Sequence, residues 1–326
     1  MLPKAPSSLC AQIQRMRLIR LTIVCALLGY ALAPADAATA ARASLARIES
    51  LRKERPGDGV LIFYQAMVQI DLGERAAAFE LLRSLKGRKL GLIPVRDVGF
   101  DAVWDDPEFQ ALRKTLADEE PRTPPAPVAF RLKDPKLIPE GIAFDTKGER
   151  FFIGSVAQRK IIATDAKGQA RDFSGASDKL DTVLGLAVDA DRGHLYGVST
   201  NGFEESAKTE RRNAVVRYDL KDGRLLDRFP APEAKQLNDL AVTPEGTIYV
   251  TDSTSGTLFR RKPDEKTLTR FGETGTLRGA NGIALGGAGT LYVTLSTGIA
   301  RVDTTTGEPA RLPQPDTVVT GGIDGL

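Results

Sequence analysis

Five short stretches of the 326-residue sequence share one pattern, a leading residue followed by a small apolar run. They read Pro139-Glu140-Gly141-Ile142-Ala143, Leu184-Gly185-Leu186-Ala187-Val188, Leu237-Asn238-Asp239-Leu240-Ala241-Val242, Ala280-Asn281-Gly282-Ile283-Ala284 and Ile323-Asp324-Gly325-Leu326. Four of the five lead with an oxygen-bearing side chain. Glu140, Asn238, Asp239, Asn281 and Asp324 offer three carboxylates and two amide oxygens, hard donors that suit Ca²⁺ first and Mg²⁺ or Mn²⁺ as alternatives. Brought together without a cation, the carboxylates would repel one another. The competing explanation is that Asn or Asp before Gly is a turn former selected for backbone geometry. It accounts for Asn281-Gly282 and Asp324-Gly325, poorly for Glu140-Gly141, and not for the common register. Other chemistries have little material. The one histidine, His194, lies inside a strand pattern, so neither a zinc site nor a serine-histidine triad is favoured.

These residues need elements that bring them around one axis. Their spacing, 43 to 54 residues, is that of a repeat in which each unit is one small sheet. After each leading run comes a turn and a second strand, within Gly148 to Ser155, Gly193 to Thr200, Gly246 to Ser253 and Gly289 to Ser296. Third strands are expected at Lys160 to Thr164, Ala214 to Tyr218, Thr257 to Arg261 and Ile299 to Asp303. Fourth strands are expected near Arg224 to Phe229 and Leu268 to Phe271 and are less clear elsewhere. Three or four antiparallel strands per unit make a propeller blade, which a near-constant unit favours over a β-sandwich. In a propeller the first strand lines the central channel, so the leading residues meet at its mouth. The polar stretch Asn201 to Asn213 opens on the same face, as a rim or lid or as a plain solvated insertion.

Upstream of Ala38 the sequence reads as a targeting segment. Lys4, Arg15, Arg17 and Arg20 precede an uncharged run from Leu21 to Ala33, and Ala35-Asp36-Ala37 supplies the small residues of a cleavage site. The run is shorter than the ~20 residues that span a bilayer, which disfavours a membrane anchor. Residues 1–37 are therefore expected to be a signal peptide, making the protein periplasmic or secreted. Its removal takes both cysteines, Cys10 and Cys25, and leaves 41 basic against 41 acidic residues. No nucleic acid or membrane partner is then expected. Residues 38–118 follow helical periodicity, with Asp71 to Phe79 resembling the turn of a tetratricopeptide pair. Asp105-Asp106-Pro107-Glu108 starts a last helix, against which Trp104 should pack. Residues 119–127 form a Pro-rich linker, and 128–326 the propeller.

Ile138-Pro139-Glu140-Gly141, the run Leu237 to Gly246 with Tyr249-Val250-Thr251-Asp252-Ser253, and Ala280-Asn281-Gly282-Ile283-Ala284 resemble the gluconolactonase and regucalcin (senescence marker protein) family over Leu137 to Leu326. The resemblance implies a six-bladed propeller with a divalent cation, often calcium, at the channel mouth and a metal-dependent hydrolase of a lactone or related ester. It implies Glu140, Asn281 and Asp324 as metal ligands, Asn238 with Asp239 beside it in contact with substrate, and Asp324 as general base. Gln236 stands where many members carry a substrate-binding arginine, and Leu295 replaces the acidic residue of Thr251-Asp252-Ser253. Six blades need roughly 260 residues, whereas about 190 follow the linker. The expectation is an incomplete propeller of about four blades, truncated at its C-terminus, with Val128 to Leu132 the strand that would complete the last blade. A four-bladed or oligomer-completed ring is the alternative. So is a different function: a non-enzymatic propeller whose tetratricopeptide-like domain docks a protein partner as a scaffold. A histidine-dependent lyase on a related propeller is disfavoured by the single histidine.

Overall fold

The computed structural model describes residues 37–96, 98–120, 126–204 and 210–326. The expected signal peptide, much of the linker and the middle of the Asn201 to Asn213 stretch lie outside them. The described residues divide into two compact units, one of residues 37–120 with Pro313–Gly321, the other of residues 126–312 with Gly322–Leu326.

The first unit is helical: α1 Ala37–Glu54, α2 Gly59–Asp71, α3 Arg75–Ser84 and α4 Pro107–Asp118. Asp58 caps α2, accepting from the Val60 and Leu61 N–H groups at 2.9 and 3.2 Å. Asp106 caps α4 in the same way, with Pro107 at the first helical position as its sequence requires. Gly73, at φ +77°, ends α2 and turns the chain into α3. Apolar faces of the helices bury Phe79, Leu82, Phe100, Phe109 and Leu116 in one core. Trp104 packs on Phe109 as expected, at 5.9 Å between ring centroids. Pro313–Gly321 belongs to this unit, where Arg88 donates to the carbonyls of Gly57 and Asp316. Among the described residues no helix is long and apolar enough to cross a membrane.

The second unit is four four-stranded antiparallel sheets, each built from four consecutive strands. Blade 1 is β1 Pro139–Asp145, β2 Arg150–Ser155, β3 Ile161–Thr164 and β4 Ala170–Asp172. Blade 2 is β5 Thr182–Asp189, β6 His194–Thr200, β7 Ala214–Asp219 and β8 Leu225–Pro230. Blade 3 is β9 Leu237–Val242, β10 Ile248–Asp252, β11 Thr257–Arg261 and β12 Thr269–Phe271. Blade 4 is β13 Ile283–Leu285, β14 Thr290–Leu295, β15 Gly298–Asp303 and β16 Pro309–Arg311. The first strands are neighbours in order, β1 against β5, β5 against β9 and β9 against β13, a propeller-like arrangement. Apolar layers join the blades: Phe152, Ile161, Val183 and Leu195 between the first two, Leu184, Val198, Phe229, Leu240 and Val250 between the next, and Tyr249, Phe271, Leu291 and Val293 between the last.

β4 and β16 complete blades whose fourth strand the pattern left unclear; each is three residues long, mostly exposed, and so lacks the apolar alternation that marks a strand. Val128 to Leu132, expected as a strand whose partners are missing, pairs with no strand among the described residues. Its Phe130 and Leu132 cover Leu137, Ile153 and Ile162 on the outer face of blade 1. Ile142 and Phe144 on that face remain 59 % and 45 % exposed.

Candidate functional site

Each of the first three repeats carries its leading dipeptide in an irregularity of strand pairing. The β1–β2 register shifts between Pro139 and Ile142, so Glu140-Gly141 lies in the break. The β5–β6 register shifts between Val183 and Leu186, around Leu184-Gly185. The β9–β10 shift between Val250 and Asp252 lies opposite Asn238-Asp239. A bulge of this kind re-aims a side chain out of the sheet's alternation; here Glu140, Asn238 and Asp239 turn to a common cavity and Leu184 into the layer between blades 2 and 3. Close approach of the first strands depends on glycine. A Cβ on Gly141 would stand 2.1 Å from the Leu184 carbonyl oxygen, and one on Gly185 2.3 Å from Asp239 Oδ1. Just ahead of the first dipeptide, Ile138 is held at φ +44°, a costly conformation for a β-branched residue.

All five repeats contribute to one cavity of about 290 Å³, lined among others by Glu140, Gly185, Asn238, Asp239, Asn281 and Asp324. The structure thus brings together Glu140, Asn238, Asp239, Asn281 and Asp324, the oxygen-bearing residues that the sequence singled out. Leu184, the one apolar leading residue, is buried in the layer between blades 2 and 3. Asn281 Nδ2 donates to Asp324 Oδ1 at 2.7 Å. Asn238 Nδ2 donates to Ser253 Oγ at 2.9 Å, which leaves the opposite, oxygen end of the amide for the cavity. Asp239 holds the register position that is glycine in the other four repeats. Its Oδ1 accepts from the Leu240 N–H at 2.9 Å and its Oδ2 from the Ile283 N–H of the next blade at 3.1 Å.

The cavity's electrostatics follow from this crowding. Burial, then repulsion from Asp324 and Asp239, pushes the Glu140 carboxyl up to about 7. Glu140 keeps an open side toward the cavity while protein surrounds it elsewhere, so solvent tempers that push. Burial raises Asp239 to about 6; its two backbone hydrogen bonds oppose the rise and Asp324 adds to it. Among the described residues, no three histidine, cysteine, aspartate or glutamate side chains stand closely enough to hold a metal ion by themselves. A cation here would therefore draw on amide oxygens of Asn281 or Asn238 beside carboxylates, a donor set that matches hard cations. His194 starts β6 opposite Asp189, at the end remote from the mouth, and burial lowers its affinity for a proton.

Residues beyond the leading dipeptides also shape the site. Asp252, fully buried, accepts from the N–H groups of Lys235, Gln236, Thr254 and Ser255 and so fixes the approach to Asn238. Asn213 bridges blades 2 and 3, donating to the Ala234 carbonyl at 2.8 Å. The sequence signal for the first was present in Thr251-Asp252-Ser253, although nothing in the residue types said that the carboxylate faces backbone rather than ligand. In the helical unit a broader groove of about 760 Å³ runs along Arg75, Phe79, Glu80, Arg83 and Glu108. Its charges are spent on one another, with Arg75 paired to Asp106 and Glu108 and Arg83 to Glu80 and Glu108, so it offers less chemistry than the smaller cavity.

No protein-family model and no curated protein sequence matches the chain. Among solved structures, the chain is similar to one from a nidogen/laminin complex, at 18% identity and a TM-score of 0.47 over 57% of this chain and 66% of that one. It is similar to a gluconolactonase of Xanthomonas campestris at 21% identity and a TM-score of 0.45, over 58% and 64%. It is also similar to a catalytically inactive virginiamycin B lyase of Staphylococcus aureus, with quinupristin, at 17% and 0.45, over 57% and 59%. The chain thus spans less than two thirds of each.

Proposed function

We propose that the cavity is the site of a divalent-cation-dependent hydrolase of a lactone or related ester, on a propeller of the six-bladed type, in an exported protein. The observation that carries the reading is the convergence of Glu140, Asn238, Asp239, Asn281 and Asp324, from four of the five repeats, on one polar cavity. Glu140, Asn281 and Asp324 would hold the cation, with Ca²⁺ the first candidate and Mg²⁺ or Mn²⁺ next. When bound, it would supply Lewis-acid polarisation of the ester carbonyl. The chain's own residues do the rest. Asn238, tied back at Nδ2 by Ser253, offers its amide oxygen to a substrate hydroxyl. Asp324, oriented by Asn281, accepts the proton of a water that attacks the carbonyl carbon and returns it to the ring oxygen, which leaves as the alcohol of the hydroxy acid. Asp239 contributes negative potential beside the substrate while its own oxygens stay on backbone N–H groups.

The test is lactone opening followed by pH-stat on aldono- and aromatic lactones, with Ca²⁺, Mg²⁺ or Mn²⁺ supplied. Cation-dependent turnover is expected, with loss of at least about 100-fold in an Asn281→Ala, Asp324→Ala double variant. Equal rates in the two proteins would refute the proposal.

A further inference from the structure

We infer that Thr251 and Ser253 are positioning residues, a two-hydroxyl clamp that sets the mouth donors of blades 3 and 4 against each other. The inference deepens the reading of the cavity as a ligand site and rests on it. Thr251 Oγ1 accepts from the Asp239 N–H at 3.0 Å and donates to the Asn281 carbonyl at 2.7 Å. Ser253 Oγ accepts from Asn238 Nδ2 at 2.9 Å and donates to the Ala280 carbonyl at 2.6 Å. Each hydroxyl thus has its shortest acceptor on the peptide that opens blade 4, the Asp239 carbonyl standing farther from Thr251 Oγ1 at 3.3 Å, and puts a lone pair on the dipeptide that opens blade 3. Strand alternation turns Asp252, between them, the other way, onto the backbone ahead of Asn238. Three consecutive residues therefore determine where Asn238, Asp239 and Asn281 stand.

Blade 4 provides an internal comparison. Pairing of Val293 with Ile283 and of Val250 with Leu240 puts Thr294 at the register of Thr251 and Ser296 at that of Ser253. Among the described residues, their hydroxyls make only long contacts within their own repeat, to the Gly282 and Arg278 carbonyls at 3.4 Å each. The same residue types at the same places hold no neighbouring donor. The bridging geometry, rather than the presence of a hydroxyl, assigns the role to blade 3.

Two readouts test the clamp on the full protein. In calorimetric titration with CaCl₂ and MnCl₂, Ser253→Ala and Thr251→Val are expected to weaken affinity about 10-fold or more, as loss of a residue that orients a metal ligand does. Thr251→Ser and Ser253→Thr should restore it to within about threefold, and Thr294→Val and Ser296→Ala should leave it within about twofold. Equal affinity in the clamp variants, or equal loss in the blade 4 controls, overturns the inference. The second readout is amide exchange without cation: the Asp239 N–H and the segment around Asn281 should exchange about 10-fold faster in Thr251→Val and Ser253→Ala only. Unchanged exchange there overturns the clamp whatever binds. If the unaltered protein takes up neither cation, the cation reading falls while exchange still decides the clamp. Should Thr251→Val fail to fold, Ser253→Ala, at a partly exposed position, carries both readouts.

Discussion

Replacing Gly141 by alanine puts a methyl group where backbone already stands. Its Cβ would lie 2.1 Å from the Leu184 oxygen, 2.9 Å from the Leu184 carbonyl carbon and 3.2 Å from the Gly185 Cα. Ordinary contact begins near 3.4 Å, so β1 and β5 must part by more than 1 Å. No side chain can rotate away to absorb the clash, which places the cost toward the upper end of the ~1–3 kcal/mol typical of overpacking. In a unit of this size that corresponds to a fall in Tm of about 5–10 °C. Glu140 is the adjacent residue, so the same displacement moves a proposed ligand away from Asn238 and Asn281. Thermal unfolding followed by near-ultraviolet circular dichroism measures the stability term, with Gly287→Ala as control. A Cβ at Gly287 meets nothing within 4 Å, and the substitution should be neutral or gain about 0.4–1 kcal/mol. A Gly141→Ala protein melting within about 1 °C of the original would refute the claim that glycine sets the spacing of these strands.

The pH response of the cation-free protein has a definite sign. A carboxyl that holds its proton more tightly when folded stabilises the fold below its ordinary pKa and gives this up as pH rises through the folded value. For Glu140 the window runs from 4.5 to about 7 and for Asp239 from 3.8 to about 6. In chelator, Tm should fall between pH 5 and pH 8, and Glu140→Gln should flatten the slope; a rising Tm with an unchanged variant would contradict the crowding. Asp252→Asn sets an amide N–H₂ against one of the four part-buried N–H groups that the buried carboxylate accepts, and should cost about 1–3 kcal/mol in urea unfolding. Ile138→Gly relieves about 1–2 kcal/mol of left-handed strain, and greater chain entropy when unfolded returns about 0.5–1. A denaturation midpoint slightly above that of the original is expected, and a clear drop would mean that Ile138 packs more than its 51 % exposure suggests.

Residues that repeat were the easiest to interpret. Glu140, Asn238, Asn281 and Asp324 share a register with an apolar run behind them, and the structure gathers them around one cavity. The second and third strands were legible because they alternate or run apolar between glycine turns, whereas β4 and β16 are too short and exposed to show a period. The bulges at the leading dipeptides were invisible, because a register shift depends on the partner strand and leaves no composition of its own. The dual use of Asp239 was hidden for a similar reason: the N–H that it accepts belongs to Ile283, 44 residues away. The packing of Val128 to Leu132 was not legible, because apolar residues that cover a sheet resemble apolar residues that extend one.

The glycines between the first strands also determine how such a site can change. Where the strands nearly touch, at Gly141, Gly185 and Gly282, side chains are excluded, and the residue just ahead of each of these glycines is the one free to vary without re-laying the backbone. Recognition is thereby written in an alphabet of one letter per repeat: Glu140, Leu184, Asn238, Asn281 and Asp324, with leucine as a blank turned into the core. Asp239 breaks the rule and is anchored at both oxygens for it. A scaffold of this kind can acquire a different ligand by respelling single positions, each reversible, while its adhesion between repeats stays the same.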